Sequence, residues 1–209
     1  MNNLKRFIII PIYLLTACAP PKPLMETQQV PTLNQPPTLN KVISVKQRKE
    51  KTNTITSWEI SGALAAKNKS KGWSASMNWV QNGPEAYHIR LIGPLGAGTV
   101  LINKHGNTIT FQDGPKKISS SNADELLLQQ TGIRLPVNNL FYWIRGLPAP
   151  SKVSSEQRDQ YNHLVQLRQN GYTITFGNYT SVKGVDLPKI IRLDGNGVMV
   201  KVIIKNWSV

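Results

Sequence analysis

The chain has 209 residues, 25 Lys and Arg against 11 Asp and Glu, a net charge of +14 at pH 7 and one cysteine. A single cysteine excludes an intramolecular disulfide framework. The three histidines, His88, His105 and His163, lack the i, i+4 spacing of a helix-borne metal site and a second cysteine to join them, so no metal centre is expected.

The first element, MNNLKRFIIIPIYLLTAC, reads as an export signal. Lys5 and Arg6 form a positive start, and residues 7–15 form an apolar run too short to span a bilayer. Leu15-Thr16-Ala17-Cys18 has the pattern of a bacterial lipobox, in which the cysteine is acylated once the signal is removed. Cys18 is therefore the expected lipid attachment point; a plain signal peptide is the bland alternative. Ala19, where an aspartate would favour inner-membrane retention, points to the outer membrane. A strongly basic chain suits nucleic acid, an anionic membrane or an acidic partner, and export makes nucleic acid the least suitable of the three.

The expected organisation is a signal over residues 1–17, a lipidated N-terminus and tether over 18–45, and a folded domain over 46–209. The segment after Ala19, PPKPLMETQQVPTLNQPPTLN, is proline-rich and poor in bulky apolar groups, as a semi-extended tether should be. Residues 41–54 carry Lys46, Arg48, Lys49 and Lys51 beside Val42, Ile43 and Val45. This segment reads as a solvated charged run or as a short basic helix on a membrane surface.

From Trp58 the period is two. Trp58, Ile60, Gly62 and Leu64 share one phase, as do Trp73, Ala75, Met77 and Trp79, and then Tyr87, Ile89 and Leu91. Further strands are expected over 99–104, 108–112 and 117–119, punctuated by Gly, Asn and Asp turns, which is the pattern of an antiparallel meander. Ser121 offers an N-cap for a helix through ADELLLQQ, with Gly132 as its stop. Pro136 can open a second helix containing LFYWIR. Strands return over 163–168, 172–176, 189–193 and 198–205. The expected fold is mainly β: an unclosed, curved antiparallel barrel of about ten to eleven strands, with the short helices as a lid over an apolar cavity.

No catalytic constellation is present: there is no G-x-S-x-G elbow and no phosphate-binding loop, and the acidic residues are few and mostly at loops or helix starts. Enzymatic activity and a cofactor are not expected, and His88, on the polar phase of its strand, reads as a surface residue. Met77, Trp79, Ile89 and Leu91 share the apolar phase of neighbouring strands and are candidates for a cavity wall, with plain core packing as the alternative. Trp143, and Tyr142 beside it, carry polar handles suited to a cavity mouth. The stretch GPLGAG stands apart: no charge occurs from Gly93 to Leu101, and Leu95 occupies a turn where water is normally faced by Asn, Asp or Ser.

The lipobox, the tether, Trp58 with Gly62, the Pro94-Leu95-Gly96 loop, Trp143-Ile144-x-Gly146-Leu147-Pro148 and the terminal Asn206-Trp207 together resemble the LolB family of outer-membrane lipoprotein receptors. The resemblance runs from about Trp58 to Trp207. It implies a curved, unclosed sheet over an apolar cavity and a monomer that accepts acylated lipoproteins from a LolA-like periplasmic carrier. It further implies insertion of that cargo into the inner leaflet of the outer membrane, with Pro94, Leu95 and Gly96 as the membrane-insertion loop. Two departures are visible: Gly93 stands where an asparagine often precedes the proline, and Tyr172 where a tryptophan is frequent. Competing readings are a lipocalin-like lipoprotein holding a small apolar ligand, which needs a cavity but no apolar finger, and an assembly scaffold with a packed interior.

Overall fold

A computed structural model describes residues 42–209. The signal, Cys18 and most of the tether lie outside the described residues. The first element is a helix, α1 (Val45–Asn53), whose N-cap Ser44 exchanges hydrogen bonds with Gln47 in a capping box. It is neither a solvated run nor a free surface helix. Arg48 is buried, donating from Nη1 to Asp186 Oδ2 at 2.7 Å and from Nη2 to the carbonyl of Tyr161 at 2.7 Å. The buried His163 lies between Asp159 (2.8 Å) and Asp186 (3.1 Å), so one cluster of charged groups holds α1 against the domain.

Six strands follow: β1 (Trp58–Lys67), β2 (Gly72–Asn82), β3 (Ala86–Ile92), β4 (Thr99–His105), β5 (Thr108–Asp113) and β6 (Lys116–Ser120). Two helices come next, α2 (Ala123–Thr131) and α3 (Val137–Trp143). The second half comprises β7 (Val153–Arg158), β8 (Leu164–Gln169), β9 (Tyr172–Gly177), a small hairpin of β10 (Thr180–Val182) and β11 (Val185–Leu187), β12 (Ile190–Gly195) and β13 (Val198–Ser208). Eleven strands form one antiparallel sheet in the order β6-β5-β4-β3-β2-β1-β13-β12-β9-β8-β7. The two halves join where β1 pairs with β13. β6 and β7 end the sheet without pairing to each other, so the expected unclosed sheet is present.

Local chemistry accounts for the boundaries. α2 is capped by Asn122, whose side chain accepts from the amide of Glu125 at 3.0 Å, and not by Ser121 one residue earlier. Gly132 ends the helix in the left-handed conformation. Gly62 marks a bulge against β13; a Cβ there would lie 1.9 Å from the carbonyl oxygen of Ile203. β7 escapes a pattern-based reading because VSSEQR is largely exposed and has no apolar alternation.

Leu64, Met77, Trp79, Ile89, Leu91, Ile174, Leu193 and Val202 are buried strand residues of the core cluster. Leu126 and Leu127 from α2 and Leu140 and Trp143 from α3 join the same cluster. The core spans residues 55–204. A void of about 20 Å³ lies between the sheet and the helices that cover its inner face, lined by strand residues with Leu135, Val137 and Leu140.

Candidate functional site

Antiparallel pairing sorts the turns into two ends of the sheet. The β1–β2, β3–β4, β5–β6, β8–β9 and β12–β13 turns share one end. GPLGAG is the β3–β4 turn. Its base is closed by the amide of Gly93 donating to Gly98 O at 3.1 Å. Inside it, Gly96 N donates to Gly93 O at 3.1 Å and Ala97 N to Pro94 O at 3.0 Å, forming a single 3₁₀ turn over Pro94–Gly96. Leu95 stands at its tip with φ 54° and ψ 24° and a relative accessibility of 108%.

A leucine is disfavoured here twice. The left-handed conformation costs an L-residue about 1–2 kcal/mol, and the exposed side chain gains nothing from packing. Glycine or asparagine would relieve the first penalty and any polar residue the second. Gly93 is required by the same geometry, since a Cβ there would lie 2.1 Å from the carbonyl oxygen of Ala97.

Beneath the loop lies an apolar cleft of 350 Å³. Gly93, Pro94 and Ala97 form its roof, and Trp73, Val100 and Phe111 line it with Leu135 from the α2–α3 connection. Leu91, Ile102 and Leu135 border both this cleft and the 20 Å³ void, and so separate surface from interior.

The structure gathers four of the five cavity candidates in one place. Met77, Trp79, Ile89 and Leu91 line the small void together. Trp143 lies apart from these four. It is fully buried, borders neither the void nor the cleft, and donates from Nε1 to Gln169 Oε1 at 2.9 Å while its ring packs edge-on against Tyr172. Tyr142 lines a separate 180 Å³ recess at the other end of the sheet, beside Tyr87 and Lys104. Burial, then the nearby Asp124, pushes the Tyr87 hydroxyl well above its usual range. His88 Nδ1 meets Asn103 Oδ1 across β3 and β4, which makes it a cross-strand partner.

Three features escape a sequence reading. Gln169 is buried and bonds Trp143 Nε1, both the amide and the carbonyl of Ala149, and Ser151 O, tying the segment after α3 to β8. Arg145 is buried; it donates to Phe141 O and, at 2.6 Å, to Ile55 O, and its guanidinium stands 4.1 Å over the Phe141 ring. Burial lowers its pKa to about 10, so it remains charged at neutral pH. The third is a concavity of 860 Å³ along β1, β2, β9, β12 and β13, bordered by outward-facing residues such as Thr173, Thr175, Arg192 and Lys201. A single layer of strands bounds it, whereas the smaller cleft under the loop is enclosed by strands, loop and the α2–α3 connection.

The sequence matches the family described as "Outer membrane lipoprotein LolB" over residues 56–207. It is 36% identical over 163 residues to an outer-membrane lipoprotein LolB of Coxiella burnetii, covering 78% of this chain and 77% of that one. To the LolB of Ectopseudomonas mendocina it is 32% identical over 161 residues, covering 77% and 78%. The fold is similar to that of the LolA superfamily protein NE2245 from Nitrosomonas europaea, with a TM-score of 0.51 at 12% identity over 80% of this chain and 94% of that one. With its unclosed sheet and its exposed leucine loop in place, the chain belongs to the LolB family of outer-membrane lipoproteins.

Proposed function

We propose that this protein is an outer-membrane lipoprotein, anchored through Cys18, that takes acylated lipoproteins from a LolA-like periplasmic carrier and inserts them into the inner leaflet of the outer membrane. The observation that carries the reading is Leu95: fully exposed, held in a left-handed turn and set directly over an apolar cleft. Burying a leucine side chain gains about 1.5–3 kcal/mol. That cannot anchor a protein, but it can hold the cleft mouth against a leaflet once a lipid anchor has brought the domain there. Each acyl CH₂ transferred from water contributes about 0.8 kcal/mol, so a cargo chain crosses between carrier and bilayer only along an apolar path. The cleft offers that path at the surface. Leu91, Ile102 and Leu135 then mark where α2 and α3 must yield if the chain enters more deeply.

The test follows cargo from a carrier–lipoprotein complex to this protein and on to liposomes. Leu95→Glu should take up cargo at the normal rate and fail to insert it, because burying a carboxylate in a bilayer is costly. A variant that loses uptake and melts early would make Leu95 structural and remove the basis of the reading.

A further inference from the structure

The charges of this protein are sorted along the strand direction. At the Leu95 end, Lys67 closes β1, Lys69 and Lys71 lie in the β1–β2 turn, and Lys116 and Lys117 follow the β5–β6 turn. All five are exposed. Among the described residues none of the five has a carboxylate within 4.0 Å. Asp113 and Asp194 are the carboxylates on the strand ends there. At the other end Glu85 pairs with Lys104 and Asp186 with Arg48, and the carboxylates Glu59 and Asp159 offset the exposed Lys51.

We propose that these lysines form a collar that selects anionic phospholipid around the insertion point of Leu95. The inference rests on Leu95 entering a bilayer and adds the class of lipid it meets. Two observations favour a lipid surface over an acidic protein. First, the lysines flank an uncharged apolar tip on both sides, in the β1–β2 turn and at the start of β6, as a group that must pass between headgroups requires. Second, the exposed cations in and beside the turns next to the tip are lysines, with Arg168 lying farther along the sheet on β8. Interfaces between proteins are depleted in lysine and enriched in arginine and aromatic residues, and an arginine fork suits fixed carboxylates. An ammonium on a flexible stem suits mobile phosphates, and its methylenes can lie along the interface while the charge stays in water.

The experiment uses the chain from Ala19 onward, which keeps the whole core of residues 55–204 and lacks Cys18. Binding is measured to vesicles of phosphatidylcholine alone and of phosphatidylcholine mixed with phosphatidylglycerol. A lysine at an anionic surface strengthens binding about fivefold, so even partial engagement of the collar should give at least about a tenfold preference for the mixed vesicles. The preference should shrink as salt shortens the screening length below about 8 Å. Changing Lys67, Lys69, Lys71, Lys116 and Lys117 to Gln should abolish the preference and leave weak binding to phosphatidylcholine. Lys116→Gln with Lys117→Gln alone should lower it several-fold, so the test does not depend on the fivefold variant folding. Equal binding of the unaltered chain to both vesicles, or a preference that survives the fivefold substitution, overturns the proposal. So does a substituted protein that binds both vesicles normally and takes cargo from its carrier slowly, since the lysines would then face an acidic protein. The finger is judged separately, by whether Leu95→Glu loses binding to phosphatidylcholine.

Discussion

Replacing Leu95 with asparagine should move stability and membrane activity in opposite directions. With a relative accessibility of 108%, the leucine has no packing to lose. Its φ of 54° and ψ of 24° lie where asparagine is tolerated and leucine costs about 1–2 kcal/mol. Recovering half of that strain stabilises the domain by about 0.5–1 kcal/mol, or about 1–4 °C in Tm for a domain of this size. The same change removes about 1.5–3 kcal/mol of transfer energy from the tip, which is about a tenfold to hundredfold loss in vesicle binding. The amide's own resistance to burial adds to that loss. Thermal melting by circular dichroism and vesicle co-sedimentation of the anchor-free chain give the two numbers. A lower Tm combined with unchanged vesicle binding would refute the reasoning, because Leu95 would then be a packing residue that stays in water.

Other outcomes follow from the same structure. Asp186→Asn should destabilise the domain by about 2–3 kcal/mol in denaturant titration, at or below the low end for a broken buried pair because the carboxylate is 12% exposed. Burial raises the Asp186 pKa, but its bonds to His163 and Arg48 outweigh that and hold it below the ordinary 3.8. Its stabilisation is therefore complete above about pH 4 and is lost as pH falls through the lowered value, so the variant and parent should converge in acid. Gln169→Leu should cost about 2–4 kcal/mol, since it leaves the Trp143 indole and the Ala149 amide and carbonyl buried without partners. Cys18→Ala should release the protein from the membrane fraction with an unchanged melting curve; continued sedimentation at high salt would count against lipidation at that residue.

The sheet was legible because most of its strands have one buried face. Trp58 to Leu64, Met77 with Trp79, and Ile89 with Leu91 announce the period that the burial pattern repeats. Leu95 was legible for the opposite reason, as an apolar residue inside turn chemistry. The cleft was not, because Trp73, Phe111 and Leu135 meet only through the sheet's curvature and the path of the α2–α3 connection. The surroundings of Trp143 were hidden for a related reason. A short helix offers its aromatic residues several directions, and the one taken is set by Gln169, distant in sequence and on another element. β7 has no apolar period at all, and only its partner β8 makes it a strand.

The site at which α1 docks has a mechanical consequence. Ile43, at the start of the described chain, is held by Asn162 at the end of the sheet opposite Leu95. β2, with 11 residues, is about 36 Å long at about 3.3 Å per residue. A pull applied through the N-terminal side of Ile43 is therefore received by Asn162 and the Arg48–Asp186 pair, about a strand's length from the Leu95 tip. Such a load would test the α1 docking cluster first and leave the loop at the opposite end unstrained.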